Sequence, residues 1–100
     1  MNRFLSTLGL CRRAGKLVHG FDAVCDEIKK KKSTVCGVVT ASDISEKTFK
    51  EVNFICEKHG VKVLKADADM DEIKTVLGKR TGVIAILDEG LFGSLSSLNK

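Results

Sequence analysis

Two short, wholly apolar segments constrain the fold more than any other feature of this sequence. Residues 35–41 and 83–87 contain no charged side chain and are rich in β-branched residues. Runs of this length and composition are typical of strands that are covered on both faces. The chain therefore predicts a sheet whose inner strands lie between two layers of other elements.

Segments with helical periodicity separate these strands. Apolar side chains recur at helical spacing in five places, which predicts helices over 2–14, 20–31, the segment from about Phe49 to Gly60, 70–77 and 91–98. Residues 16–19 and 61–64 read as two further short strands. The alternation predicts an α/β protein: a three-layer α/β/α sandwich with a central mixed, mostly parallel sheet of about four strands.

The helix ends carry recognisable signals. Gly15, Gly60 and Gly78 each follow a helical stripe and are predicted to end it. Asp69, with Glu72 three residues later, predicts a capping box at the start of helix 70–77. That local role explains Asp67, Asp69 and Asp71 better than a calcium loop does, since the glycine and glutamate such a loop needs later on are missing.

Size and composition predict one domain over residues 1–100. Hydrophobic residues make up 43% of the chain and charged residues 30%, a globular mixture that can fill a single core. No apolar run approaches the ~18 residues of a membrane helix, and no signal peptide is recognisable. We expect a soluble, cytoplasmic protein that has no membrane partner.

The four cysteines predict neither a metal site nor a disulfide framework. Cys11, Cys25, Cys36 and Cys56 are widely spaced, and each lies within an apolar pattern. Zinc sites usually contain close ligand pairs, and disulfide frameworks belong to short secreted chains. We expect free, buried thiols, and we expect the protein to need no metal or cofactor.

The net charge of +4 hides an asymmetry. Residues 1–32 carry eight positive and three negative side chains, a charge of +5, whereas the remainder carries −1. A basic end favours a polyanionic partner such as nucleic acid. The run of four lysines from Lys29 to Lys32 has two interpretations: local helix stabilisation, through the helix dipole and the pairs Asp26–Lys30 and Glu27–Lys31, or direct contact with phosphates.

No enzyme signature stands out. Gly15-Lys16 and Gly78-Lys79 resemble the end of a phosphate-binding loop, but the earlier glycine and the following hydroxyl residue are absent in both cases. His19 and His59 have no recognisable nucleophile beside them. What remains is a pair of glycine-containing basic loops, 15–22 and 78–82, which we expect at one end of the sheet as a cradle for RNA.

The stretch LGLCRRAGKLVHG over residues 8–20 resembles the small bacterial branch of the L-seven-Ae/L-thirty-e ribosomal protein superfamily, whose members bind kink-turn RNA. The apolar strand 35–41 with Ser42-Asp43, and the closing unit of helix 70–77, loop and strand, fit the same family. The resemblance covers nearly the whole chain. It implies a non-catalytic RNA-binding domain, associated with the ribosome and recognising structured, kink-turn-like RNA.

The resemblance also implies a site, whose residues are Lys16, His19, Gly20, Phe21, Asp22, Lys79, Arg80 and Thr81, with Arg12 and Arg13 as an extension. The family grips RNA with a Gly-x-Asn-Glu motif at the start of the second helix and a lysine one turn later. Here Gly20 matches the glycine, but Asp22, Ala23 and Asp26 occupy the other three positions. An ionised Asp accepts but does not donate hydrogen bonds, and Ala does neither.

These departures leave alternatives open. A protein-interaction or ribosome-assembly module that has lost standard kink-turn recognition is the first, with ribosomal proteins as possible partners. The second is an enzyme, or the substrate-binding part of an RNA methyltransferase whose catalytic part is a separate chain.

Overall fold

Nine elements alternate along the chain in the computed structural model, which describes residues 2–99. In order they are α1 (Arg3–Arg13), β1 (Leu17–His19), α2 (Phe21–Lys29), β2 (Gly37–Thr40), α3 (Glu46–Lys58), β3 (Lys62–Lys65), α4 (Met70–Leu77), β4 (Val83–Ile86) and α5 (Glu89–Leu98). All the predicted helices and strands are present. The apolar strands are shorter than their apolar runs, because Val35 and Leu87 lie outside the pairing.

Two apolar cores, one on each face of the sheet, confirm the three-layer sandwich. The first joins α1, α4 and α5 to the sheet and includes Leu8, Ile73 and Leu95. The second joins α2 and α3 to the sheet and includes Val24 and Val52. β2 and β4 are buried along their whole lengths, as their uninterrupted apolar sequences predict.

The sheet is mixed, with strand order β1-β4-β2-β3. β2 and β3 are parallel, but β4 is antiparallel to both β1 and β2, so the expected predominance of parallel pairing is corrected. An apolar strand covered on both faces buries the same surface in either direction, so its sequence pattern does not encode its direction. The connection 78–82 determines it here by running back along α4, where Arg80 contacts Asp71.

The glycines that were predicted to end three helices, and the capping box predicted at the start of α4, are confirmed. Gly15, Gly60 and Gly78 all have positive φ, between 69° and 77°, a backbone conformation that glycine adopts without steric cost. The Asp69 side chain accepts from the Glu72 amide at 2.8 Å, and Glu72 accepts from the Asp69 amide at 3.1 Å. Asp69 and Glu72 therefore form the predicted capping box of α4, while Asp71 in the first turn contacts Arg80.

The end of α2 differs from its prediction. The helix ends at Lys29, and Lys30 has extended backbone angles. Lys31 lies beyond the helix, and the Lys30 ammonium contacts Glu27 at 2.7 Å instead of Asp26. The two i,i+4 pairs expected within the lysine run are therefore replaced by one i,i+3 pair.

The four cysteines are free thiols, as predicted. Cys11, Cys25 and Cys56 are buried, whereas Cys36 is only half-buried because it precedes β2 at the margin of the first core. Among residues 2–99, no helix has the length and apolarity that a bilayer span needs.

Candidate functional site

One end of the sheet gathers three connections, and we call it the Gly20 end. The Gly20 amide donates to the Val83 carbonyl at 2.9 Å, which holds the start of α2 beside the start of β4. The Ala41 amide donates to the Gly82 carbonyl at 2.9 Å, which adds the turn after β2. The start of α2 thus lies beside Gly82, the last residue of the loop 78–82, whereas Gly78 lies beside Arg12 at the end of α4.

A shallow groove of about 300 Å³ lies at the Gly20 end. Three of the predicted site residues line it, namely Phe21, Arg80 and Thr81. Gly82 of the predicted loop 78–82 also lines it, and the sequence analysis missed its other walls, which are formed by Ile44, Ser45, Thr48, Met70 and Val83. Asp43 ties these walls together, because its carboxylate accepts from the Met70 amide at 2.9 Å. The polar turn 42–45 is visible in the sequence, but its contact with α4 is not.

The start of α2 is the one helix start in residues 2–99 that no side chain caps. Side chains of Asn2, Ser45, Asp69 and Asp88 accept from backbone amides at the other four helix starts. The N-cap of α2 is Gly20, which has no side chain to offer and adopts φ 98° and ψ 137°. The first amides of α2 are therefore available to an external acceptor, and helix amides favour anions.

Arg80 and Thr81 are partly engaged within the protein. Arg80 Nε donates to Asp71 Oδ1 at 3.0 Å, and both side chains are exposed. The hydrogen bond and the charge of Asp71 raise the pKa of Arg80. The Thr81 hydroxyl is buried and donates to the Val83 carbonyl at 3.3 Å, so its role in the groove is to shape the loop. Lys79 is exposed and takes part in none of the three ion pairs of the described residues.

The remaining predicted residues lie around the groove or away from it. Asp22 is exposed in the first turn of α2, and His19 is half-buried at the end of β1. Lys16 is at the opposite end of β1, where its carbonyl accepts from the Leu87 amide at 2.9 Å. Gly20 follows four positions later along the extended chain, roughly 13 Å away. Arg12 lies at the end of α4, where its guanidinium is 3.5 Å from the Val76 carbonyl and close to Gly78.

The described chain offers no metal centre. No group of three or more His, Cys, Asp or Glu side chains comes together within residues 2–99. The groups at the Gly20 end are instead backbone amides, the Arg80 guanidinium and an apolar wall, which suit a polyanionic ligand that has flat apolar parts.

Comparison with known proteins agrees with this geometry. The model of the ribosomal protein L7Ae/L30e/S12e/Gadd45 family matches residues 2–95. The chain is 33% identical over 96 residues to "RNA-binding protein YlxQ" of Bacillus subtilis (strain 168), covering 91% of this chain and 89% of the relative. It is 31% identical over 86 residues to the protein of the same name from Enterococcus faecium, covering 86% and 81% of the two chains.

A solved structure shares the fold. It is the structure of a protein with unknown function from Bacillus halodurans C, with a TM-score of 0.87 and 26% identity, covering 98% of this chain and 97% of the other. The family model spans nearly all of the chain, and it agrees with the resemblance carried by residues 8–20. The chain therefore belongs to the ribosomal protein L7Ae/L30e/S12e/Gadd45 family.

Proposed function

We propose that this protein binds structured RNA at the Gly20 end of its sheet and acts by binding, not by catalysis. The observation that carries the proposal is the uncapped start of α2 held beside the basic loop 78–82. Two relatives that share about a third of their residues with this chain are named RNA-binding proteins, which supports the same activity here.

The chemistry of the groove suits an RNA backbone with an unstacked base. The amides of α2, Lys79 and Arg80 would contact phosphates, which supply affinity without reading sequence. Phe21, Ile44 and Met70 form an apolar wall in the same groove. Bent or bulged RNA presents such splayed bases, whereas a regular RNA duplex does not. We therefore propose a kink-turn-like element, in ribosomal RNA in the cytoplasm, as the natural ligand.

The proposal is tested by the salt dependence of RNA binding. The probe is a fluorescent kink-turn RNA, titrated between 50 and 200 mM salt. Changing Lys79 and Arg80 together to Ala should weaken binding and flatten the log–log salt slope by about 1.4 to 1.8, the contribution of two phosphate contacts. Lys62→Ala with Lys74→Ala removes the same charge from exposed positions outside the groove. An unchanged slope in the first variant would remove the loop from the site.

Asp71 provides a test of opposite sign. Its carboxylate competes with phosphate for Arg80, because the two side chains are 3.0 Å apart. Asp71→Asn should therefore tighten RNA binding while the fold is unchanged, since both side chains are exposed. Weaker binding in this variant would mean that Asp71 positions Arg80 for the RNA instead of competing with it.

A protein-interaction module is the second candidate, favoured by the exposed Asp22, Ala23 and Asp26 at the family's base-reading positions. The absorbance of freshly purified protein at 260 and 280 nm distinguishes RNA binding from a protein-interaction role. The chain contains no Trp or Tyr and hardly absorbs at 280 nm, so bound nucleic acid is visible at 260 nm. Copurifying RNA supports the first function, and absence of both copurifying RNA and kink-turn binding supports the second.

A further inference from the structure

A second groove, between α2 and α3, contains an aromatic side chain that the fold leaves exposed. Phe54 is 69% exposed, although the neighbouring Val52 and Cys56 of α3 face the second core. Phe54 forms the groove of about 450 Å³ together with Phe21 and Ile55. Packing within the described chain does not account for an aromatic ring in this position.

Positive side chains surround that ring. Lys50 and Lys58 lie one helical turn before and after Phe54, and Lys29 faces them from α2. Glu51 is the one carboxylate among the residues that line the groove. A more polar groove of about 290 Å³, lined by Lys30 and Lys31 among others, adjoins the first through His59, which lines both.

Local helix stabilisation accounts for only part of the lysine run that ends this positive surface. Only Lys29 lies in the last turn of α2, where the helix dipole favours it. Lys30 pairs with Glu27, and Lys31 and Lys32 are exposed beyond the helix end. The local explanation considered from the sequence therefore covers Lys29 and Lys30, while Lys29 lines the α2–α3 groove and Lys30 and Lys31 line the adjoining one. Direct contact of the run with phosphates stays a prediction.

The α2–α3 groove is continuous with the proposed RNA site. Phe21 lines both the groove at the Gly20 end and the groove that contains Phe54. The nine residues of α2 connect the Gly20 end to Lys29 over about 14 Å. A strand leaving the first site can follow α2 to the lysines around Phe54, although it passes the exposed Asp22 and Asp26 on the way.

We propose that the α2–α3 groove binds a single-stranded segment that flanks the structured RNA, with a base stacked on Phe54 and phosphates beside Lys29, Lys50 and Lys58. Single-stranded nucleic acid binding combines a basic groove with an aromatic stacking platform. An acidic amphipathic helix would instead need several apolar anchor pockets in a row, and this groove presents one exposed ring. The inference rests on the proposed function, because continuity with the Gly20 end is part of its argument.

The absence of tryptophan makes a direct test possible. Phe54→Trp places a single tryptophan on the groove, and Leu10→Trp places one on α1, at the other large hydrophobic residue that is exposed among residues 2–99, with 48% exposure. A ten-nucleotide oligouridylate should quench the emission of Phe54→Trp and not that of Leu10→Trp. Adding Lys50→Ala and Lys58→Ala to Phe54→Trp should abolish the quenching. Circular dichroism verifies that each variant is folded.

A second measurement uses kink-turn RNA with and without a ten-nucleotide single-stranded tail. The tail should tighten binding of the parent about tenfold, the scale of one base–aromatic stack. Phe54→Leu keeps an apolar side chain but should lose this gain, whereas the control Leu10→Ala should keep it. Absence of tryptophan quenching in folded Phe54→Trp overturns the inference, as does displacement of oligouridylate by polyglutamate at equal charge. Tail-free RNA reports the proposed function separately, since its binding does not involve Phe54.

Discussion

Gly20 has a structural role that can be separated from any contact with RNA. Its φ of 98° and ψ of 137° lie in a region that residues with a Cβ rarely adopt, although a Cβ there would meet no atom within 4 Å. Gly20→Ala should therefore lower the free energy of unfolding through backbone strain alone, by about 1–3 kcal/mol. Chemical denaturation measures the change.

Gly93→Ala is the matched control for Gly20→Ala. Gly93 lies inside α5, has no positive φ, and would also place its Cβ in open space. Alanine in a helix interior should raise stability by about 0.8–1.0 kcal/mol over glycine. Equal effects of the two substitutions would contradict the strain at Gly20.

Thr40 is a buried polar residue whose hydroxyl has no partner within residues 2–99. It lies in β2 between Val39 and Ala41 and is fully buried. Thr40→Val replaces the hydroxyl with a methyl group of similar shape and should raise the free energy of unfolding by about 1 kcal/mol, because an unsatisfied buried group is removed. Thr40→Ser keeps the hydroxyl, loses a methyl group and should lower it. A less stable Thr40→Val would show that the hydroxyl has a partner.

At the scale of single residues, the sequence predicts those helix caps and backbone angles that depend on residues nearby in the chain. The capping box of Asp69 and Glu72 and the positive φ of Gly78 follow from residues within one turn. The contact of Arg80 with Asp71 spans nine positions and depends on the path of the loop, so no local pattern shows it. Helical spacing places Phe54 on the side of α3 away from the buried Val52 and Cys56. The sequence does not show that α2 leaves this ring uncovered.

The start of α2 is where the family's RNA motif is altered, and the helix itself permits a test. Asp22, Ala23 and Asp26 are all exposed, whereas Val24, Cys25 and Ile28 face the core. Asp22→Asn, Ala23→Glu and Asp26→Lys together should therefore fold normally. We expect the triple variant to bind a standard kink-turn RNA at least tenfold more tightly than the parent, because each restored hydrogen bond contributes about 1–3 kcal/mol.

The control for the triple variant holds the net charge constant. The three changes together raise the net charge by two. Glu89→Lys raises it by the same amount at an exposed position that follows the C-terminal end of β4, whereas the Gly20 end lies at its N-terminal end. Equal gains in both variants would assign the effect to charge alone. Tight binding by the parent with no gain in the triple variant would show that the altered motif does not weaken recognition.

At the scale of elements, periodicity and composition predict which segments are helices and strands but not how the strands pair. The eight residues of α4 are predicted to the residue, because a capping box and a glycine mark both ends. The direction of β4 is not predicted, because a strand that is apolar on both faces buries the same surface whichever way it runs. The meeting of Gly20 with Val83 depends on that pairing, so the groove at the Gly20 end follows from the topology and not from a motif.

The whole molecule holds two cores that share β2 and β4, and a buried thiol lies in each. Cys11 belongs to the core beneath α1, α4 and α5, and Cys56 to the core beneath α2 and α3. Burial raises the pKa of each thiol from 9.0 to about 11. The folded state therefore keeps both protons at a pH at which the unfolded chain releases them.

The two thiols test whether both cores unfold as one domain, which is the expectation from chain length. As the pH rises from about 9 to 11, the unfolded state binds fewer protons than the folded state, so the free energy of unfolding falls. Each thiol should contribute a slope of roughly 1.4 kcal/mol per pH unit, or about 2 kcal/mol over the interval. Denaturant titrations at pH 8, 9, 10 and 11 measure the slope. Cys11→Ala and Cys56→Ala should each remove more of the cysteine contribution than Cys36→Ala, because the pKa values of Cys11 and Cys56 are raised to about 11 and Cys36 is half-buried. Lysine titrations are common to all variants and cancel in the comparison.

Because the two cores share their central strands, both slopes should appear in a single transition. Two transitions, each sensitive to one cysteine, would mean that the faces of the sheet unfold separately.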